Sequence, residues 1–422
     1  MGDTYMALKF GTGNMGKTSG AVCLCAALLA CSPSPTPSPS PSPSSWYRGN
    51  LHTHSVWTDG TDFPEMIADW YKSHGYNFLA ITEHDMLQGG EKWVDVNAKD
   101  EGWPPRNESA RKALDGYRAQ FGPPWLIERH EDGRHLIRLR GLEEYRQMFD
   151  EPNRFLLVMA EEITDRQGAH MNGFNLEAAV LPRGGANPAE RIRNNLAAVA
   201  EQQAKQRAPL VTIINHPNYL WALRAEELAP TDARLFEVYN GHTMTNSEGD
   251  SVHPDTDRMW DIMLTERQRT GRPPIYGVAS DDAHDYRAYG DTISRPGRGW
   301  VMVRAGRLAA DDLARALVAG DFYATTGITL RSVRSTARDM SIEIAAEPGA
   351  TYRTQFIGTR TGVASTTGEI LAEVAGPFAR YTFKGDERYV RARVVSSRPH
   401  LDAIGGELLE PNQRAWVQPI FR

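Results

Sequence analysis

Phe78-Leu79-Ala80-Ile81-Thr82-Glu83-His84-Asp85 runs from an apolar stretch directly into a carboxylate, an imidazole and a second carboxylate. A short apolar run bounded by polar residues reads as a buried strand, and here its end carries side chains of the kind that bind metal ions or move protons. Upstream, Leu51 opens a strand that also ends in such residues, His52, Thr53 and His54, with Asp59-Gly60 in the loop that follows. Between the two, Pro64–Ser73 sets Ile67, Trp70, Tyr71 and His74 on one helical face, and Gly75 supplies a stop. Strand, helix, strand, with polar residues at each strand end, is the unit of an α/β fold with a mainly parallel sheet.

The unit recurs to about residue 327. Segments 155–159, 210–214, 236–239, 275–279 and 301–303 are strand-like. Asn187 caps a helix with Pro188 at its first position and Ile192, Leu196 and Val199 facing inward. Further helices are expected around 260–264 and 312–318, the last ended by Gly320. Residues 87 to about 154 interrupt the series as a polar insertion, read as a lid or side wall. From 328 to 422 the pattern becomes short β-branched or alternating runs between Gly, Pro and Asp turns, which predicts a small all-β, sandwich-like domain.

The 422 residues suit a large domain (46–327) plus that smaller one, and nothing in the mild, mixed net charge of −6 suggests an electrostatic partner such as nucleic acid, so none is expected. All three cysteines, Cys23, Cys25 and Cys31, lie near the amino terminus, so the body has neither a disulfide nor a thiolate metal site. Lys9 and Lys17 accompany an apolar run at 21–30, the length of a signal-peptide core and too short to span a bilayer. Its end, Leu28-Leu29-Ala30-Cys31, resembles a bacterial lipobox, in which the cysteine is acylated. Residues 1–31 are then a lipoprotein leader and the Ser/Pro-rich 32–45 a solvated tether, placing the chain at the cell envelope, membrane-anchored through Cys31 and facing the periplasm or exterior. An ordinary cleaved signal is the plainer alternative. Gly11, Gly16, Lys17 and Thr18 fit a phosphate-loop pattern, but the strand, helix and α/β surroundings such a loop needs are missing, and the fit is coincidental.

His52 and His54 alternate, so both imidazoles project to one side and form half a metal site. Alone the pair is weak. Glu83-His84-Asp85, Glu161-Glu162, His170, His216 and Asp281-Asp282-Ala283-His284 add ligand-type residues at or near one strand end after another. In a parallel α/β barrel those ends open on the same face.

Taken together, Asn50-Leu51-His52-Thr53-His54 with Asp59-Gly60, Ile81-Thr82-Glu83-His84-Asp85, Glu162-Ile163-Thr164, Asn215-His216-Pro217 and Asp282-Ala283-His284 resemble the motifs of the polymerase and histidinol phosphatase (PHP) superfamily of metal-dependent phosphoesterases. The resemblance implies a distorted (β/α)7 barrel holding two or three divalent ions, zinc, manganese or iron. His52, His54, Glu162 and Asp282 would bind the first ion. Glu162 would bridge to a second bound by His170 and His216, and Asp59, His84 and His284 would bind a third. Glu83 departs from the aspartate many members carry, and Glu161 and Asp281 are extra acids beside expected ligands. On a strand, adjacent side chains point to opposite faces, so only one of each pair reaches the ions.

A water bridging two divalent cations loses a proton near neutral pH, and the exposed metal faces hold phosphoryl oxygens. Glu162, Asp282 and His284 are thus catalytic as well as ligands. Asp85 and Glu237 are candidates to orient an imidazole, and Ser280 reads as a turn hydroxyl. Among loop residues that could meet substrate, Tyr239, Asn240, His242, Arg295 and Arg298, the planar guanidinium of Arg298 suits phosphate. The leading reading is hydrolysis of small phosphate mono- or diesters. Gly320-Asp321-Phe322-Tyr323-Ala324-Thr325-Thr326-Gly327 and the β domain resemble the branch that includes carbaryl hydrolase, which makes carbamate or carboxylic ester hydrolysis an alternative. A non-catalytic surface protein binding metal or glycan is a third.

Overall fold

The computed structural model describes residues 44–98, 106–287, 293–362 and 367–422. The leader, Cys31 and the Ser/Pro tract as far as residue 43 lie outside the described residues. β1 (Ser45–Asn50), α1 (Pro64–Ser73) and β2 (Phe78–His84) form the first unit. α1 buries Ile67, Ala68 and Tyr71. His74, expected on that face, is instead exposed at the helix end, stacked on Trp70.

The insertion contains β3 (Lys92–Asp95), α2 (Arg106–Phe121), β4 (Glu128–Glu131), β5 (Arg134–Leu139) and α3 (Leu142–Phe149). Val94, Leu114, Tyr117 and Ile137 pack there with Val56, Trp57 and Phe63, so its apolar core is shared with the loop that carries Asp59.

The main series resumes with β6 (Leu156–Thr164), β7 (His170–Phe174), α4 (Pro188–Lys205), β8 (Val211–Ile214), α5 (Ala225–Leu228), β9 (Leu235–Asn240), α6 (Thr256–Arg269), β10 (Tyr276–Ser280), β11 (Trp300–Ala305), α7 (Ala310–Ala319) and β12 (Phe322–Thr325). The Asn187 side chain caps α4 by accepting from Glu190 N, and Gly320 ends α7 in the left-handed region. β13 (Leu330–Ser335), β14 (Asp339–Ile344), β15 (Tyr352–Arg360), β16 (Glu369–Ala375), β17 (Phe378–Thr382), β18 (Glu387–Ser396), β19 (His400–Leu401), β20 (Leu408–Glu410) and β21 (Arg414–Phe421) make up the all-β region.

One sheet of thirteen strands runs β10-β9-β8-β7-β6-β2-β1-β11-β12-β21-β18-β15-β16. β1–β2, β2–β6, β8–β9 and β9–β10 pair in parallel. β7 is antiparallel to both β6 and β8, and β11 to β1. A turn as short as the one between β6 and β7 cannot make the crossover that a parallel neighbour needs. No ladder joins β10 to β11 among the described residues; instead the segments beyond β1 and β10 meet in a single parallel bridge, Thr53 with Ala283.

The all-β region shares the large sheet through β12–β21 and covers it with the sheet β13-β14-β17, enclosing Tyr323, Met340, Ile342, Phe356, Val390 and Val417. It is also clamped to α6. Arg391 of β18 is 1 % exposed and lies 2.7 Å from Asp261 and 2.8 Å from Asp257. Trp416 Nε1 donates to Asp257 at 2.9 Å and Tyr389 Oη to Asp261 at 2.7 Å. Burial alone would raise the pKa of Asp257, but Arg391 and Arg393 hold it well below the usual carboxylate range. A depressed carboxylate pKa stabilises the fold above its unfolded value, and that contribution fades as pH falls toward the folded one.

Breaking a buried pair strands its partner charge. Arg391→Ala is expected to destabilise the protein by about 3–5 kcal/mol at neutral pH in urea unfolding, and by less in strong acid, where Asp257 takes up a proton.

Candidate metal centre

Beyond β1 the chain stays extended, and its alternation puts His52 and His54 on one side while the Thr53 hydroxyl, facing away, donates to Ala283 O at 3.1 Å. His52 and His54 are fully buried. His52 Nδ1 donates to Glu237 Oε1 at 2.8 Å, which leaves the lone pair of Nε2 facing inward. That nitrogen stands 3.6 Å from Glu162 Oε1 and 3.2 Å from Asp282 Oδ1. His54 Nε2 stands 3.5 Å from Glu162 Oε2 and 3.3 Å from the same Asp282 oxygen. Gly60, where a side chain would collide with the His54 carbonyl, lets the loop fold back so that Asp59 Oδ1 lies 3.6 Å from His54 Nδ1.

The remaining imidazoles come from neighbouring strands. His84 ends β2 with Nε2 at 3.0 Å from Asp59 Oδ2 and Nδ1 at 2.5 Å from Thr164 Oγ1. His170 opens β7 with Nδ1 at 3.2 Å from Glu162, and His216, after β8, places Nε2 at 3.4 Å from it. His284 Nδ1 donates to Asp282 O at 2.9 Å, which leaves Nε2 unprotonated in the neutral ring, 3.5 Å from Asp59. Among the described residues, potential ligand atoms within 4.8 Å of one another form four groups at this centre, His54, Asp59, His84 and His284; His52, His54 and Glu162; His52, His216 and Asp282; Glu162, His170 and His216; and a fifth, Glu128, His130 and His135, in the insertion. His54 thus belongs to two sets, stacked between His84 and His284.

These groups fit divalent ions. His52 Nε2, both nitrogens of His54 and His216 Nδ1 are buried without a hydrogen-bond partner among the described residues, an arrangement that is costly unless something else satisfies them. Donors about 2.0–2.2 Å from a shared ion lie roughly 3–3.5 Å apart, close to the separations at Glu162 and Asp282.

Each adjacent acid pair divides between the two faces. Glu162 and Asp282 face the imidazoles. Glu161 instead accepts from Val180 N at 2.6 Å, and Asp281 accepts from Tyr71 Oη, Arg298 N and Gly299 N. Glu83 is enclosed by the Ser55 and Thr58 hydroxyls and Gln88. Burial pushes Glu161 up to about 8, so it is mostly protonated at neutral pH. At Glu162 burial is overcome by His84, His52 and His170, and the carboxylate is held well below its usual range. Burial pushes His54 down to about 4, which keeps it in the neutral form that ligates metal.

Glu237 ties the centre together, receiving His52 Nδ1, the Ser280 hydroxyl, Asn240 Nδ2 at 2.7 Å and the His216 backbone N–H at 2.7 Å. Asp85 takes a different place: its carboxylate accepts from Thr164 N at 2.7 Å and bonds no ligand imidazole among the described residues. Arg298 is fully buried, its guanidinium bonded to Asp402, Gly241 O and Ile293 O, and Arg295 lies 3.3 Å from the same aspartate. Both arginines therefore hold a loop rather than face the imidazoles. Tyr239 is buried against Trp416. Thr164, which the sequence motif pairs with Glu162, adjoins the centre through its hydroxyl, as do two residues that sequence patterns did not single out: Asn172, bonded to Asn215, which in turn donates to Glu162 at 2.8 Å, and Tyr219, whose ring is 5.2 Å from that of His216. Their polar or aromatic character near His170 and His216 is the only local signal.

No family model matches the sequence, and no curated protein matches it. Among solved structures, a two-domain protein from Bacteroides vulgatus containing a predicted PHP-like metal-dependent phosphoesterase is 14% identical over 87% of this chain and 94% of that chain, with a TM-score of 0.38. A protein from Bifidobacterium adolescentis, for which a metal-dependent phosphoesterase activity is inferred, is 14% identical over 64% of this chain and 95% of its own, with a TM-score of 0.27. Both superpositions are loose.

Removing a partner that orients a ligand commonly weakens metal binding 10–100-fold. Glu237→Ala is expected to do so by about that factor, read by competition with a chromophoric chelator, whereas Asp85→Ala leaves metal affinity within about threefold.

Proposed function

We propose that the chain is a PHP-type metal-dependent hydrolase of phosphate mono- or diesters, with the seven strands from β10 round to β1 forming a distorted (β/α)7 barrel closed at its rim by the Thr53–Ala283 bridge. The observation that carries the reading is the set of buried, unsatisfied imidazole nitrogens around two carboxylates. On this reading His52, His54, Glu162 and Asp282 hold one ion, Glu162, His170 and His216 a second, and Asp59, His84 and His284 a third. Zinc, manganese or iron suits such imidazole and carboxylate donors. Ions held there supply a water that deprotonates near neutral pH and positive charge for the transition state. The chain's own part is preorganisation: Glu237 fixes the tautomer of His52 and the backbone of His216, Thr164 sets His84, and Asn215 holds Glu162. A structural metal site is saturated by protein donors and needs no cluster of this extent, which speaks against a purely binding role.

Hydrolysis of carbamate or carboxylic esters by the same centre is the second reading. One observation favours it: Arg295 and Arg298, suited to an anionic ester, are engaged by Asp402. The leader sequence adds an envelope location, with lipid on Cys31 as the anchor; among the described residues no helix is long and apolar enough to cross a membrane.

Protein purified without residues 1–31 is expected to cleave bis(nitrophenyl) phosphate with added zinc or manganese, to stop on chelation and to recover when metal is restored. Cleavage of a nitrophenyl carboxylic ester or an aryl carbamate alone establishes the second reading, and no cleavage of any of them with any divalent ion overturns both. His52→Ala should lower kcat by more than about a hundredfold with an unchanged circular dichroism spectrum; wild-type activity in that variant would remove His52 from the centre.

A further inference from the structure

The loop after β9 carries a hydrogen-bond donor that none of the ligand groups uses. Asn240 begins it, with Nδ2 donating to Glu237 Oε2 at 2.7 Å and Asp282 Oδ2 at 3.1 Å while its Oδ1 accepts from the His242 backbone N–H at 2.9 Å. Gly241 lies so close to Arg298 and the Asp281 carbonyl that a Cβ has no room. Thr243 N donates to Ile293 O at 3.0 Å, and Thr245 Oγ1 to His242 O at 2.7 Å. The backbone of His242 is thus fixed, through Asn240, to the carboxylate of Asp282. Its ring is partly exposed and stands 5.6 Å from that of His284.

The same loop sets the tautomer. The Met244 backbone N–H donates to His242 Nδ1 at 3.3 Å, so Nδ1 carries the lone pair and the proton is on Nε2. Among the described residues His242 joins none of the groups close enough to share an ion. Of the other loop residues that sequence offers as substrate contacts, Tyr239 is packed against Trp416, Asn240 is bonded within the centre, and the two arginines are held by Asp402. Building on the ester-hydrolase reading, the geometry points to His242 as a substrate-contacting donor, its Nε2–H bonding an anionic oxygen of a bound phosphate group. A neutral donor fixed before substrate arrives needs no reorganisation as charge develops on that oxygen. The rival role, capping the turn at Met244, uses Nδ1 alone, so the two roles belong to different nitrogens.

His242→Asn separates them, since its side-chain oxygen can still accept from Met244 N while the Nε2–H is gone. Calorimetric titration of inorganic phosphate into the metal-loaded full chain should show affinity about ten- to a hundredfold weaker in the variant, the worth of a hydrogen bond to a charged group. Metal content and melting temperature should match the wild type. Equal phosphate affinity in both proteins overturns the role of His242 and leaves the hydrolase reading standing; no phosphate binding by the metal-loaded wild type overturns both. Loss of metal from the variant makes His242 a support of the centre and also overturns the proposal. Should the variant fail to fold, the wild-type His242 Nε2–H proton resonance decides: a downfield shift and slowed exchange on adding phosphate are expected, and an unmoved resonance defeats it.

Discussion

Glu162 is buried at the end of β6 with five imidazoles, those of His52, His54, His84, His170 and His216, within 3.6 Å of its oxygens. An ionised carboxylate taken out of water needs opposite charge close by, and imidazoles, which bind metal in their neutral form, would let divalent cations supply it. The sheet is what assembles this contact. Its order β8-β7-β6-β2-β1 is also the order of the candidate ligands, His216, His170, Glu162, His84 and then His52 with His54. Register does the fine work: His84 is level with Glu162 across β2–β6, and Glu162 with Asn172 across β6–β7.

The rest of the molecule braces that row. The insertion packs its apolar core against the loop of Asp59, and the all-β region reaches across with Asp402 to hold Arg298 and Arg295. Glu237, from β9, links His52, Ser280 and Asn240, so that side chains from opposite ends of the strand series share one carboxylate. Residues in unfavourable left-handed backbone, Asp85, His216 and Asp282, cluster at these strand ends, as strain commonly does where side chains must be aimed.

Much of the centre was legible because strand ends and period-two alternation are local features. His52 with His54, and Glu162 against Glu161, follow from spacing that any reader of the sequence can count. β7 was not legible: His170, Met171, Asn172, Gly173 and Phe174 contain two residues poor in strand propensity, and only the pairing with β6 and β8 makes them a strand. Nor was the engagement of Arg298, whose partner Asp402 lies 104 positions away in a different sheet region. From sequence Glu237 reads only as an orienting carboxylate, because nothing in Leu235–Asn240 announces that four groups converge on it. Periodicity identifies strands but not their neighbours, so the continuation of the main sheet through β12 and β21 into the all-β region emerged only from the structure.

The Thr53–Ala283 bridge joins positions 230 apart. Contacts of that span form late, because a long loop must be closed before they reward it. During synthesis, His52 and His54 leave the ribosome early and wait, exposed, while the segment carrying Asp282 and His284 is still being made. The full set of imidazoles and carboxylates can therefore come together only once about two-thirds of the chain, as far as His284 of 422 residues, has been made.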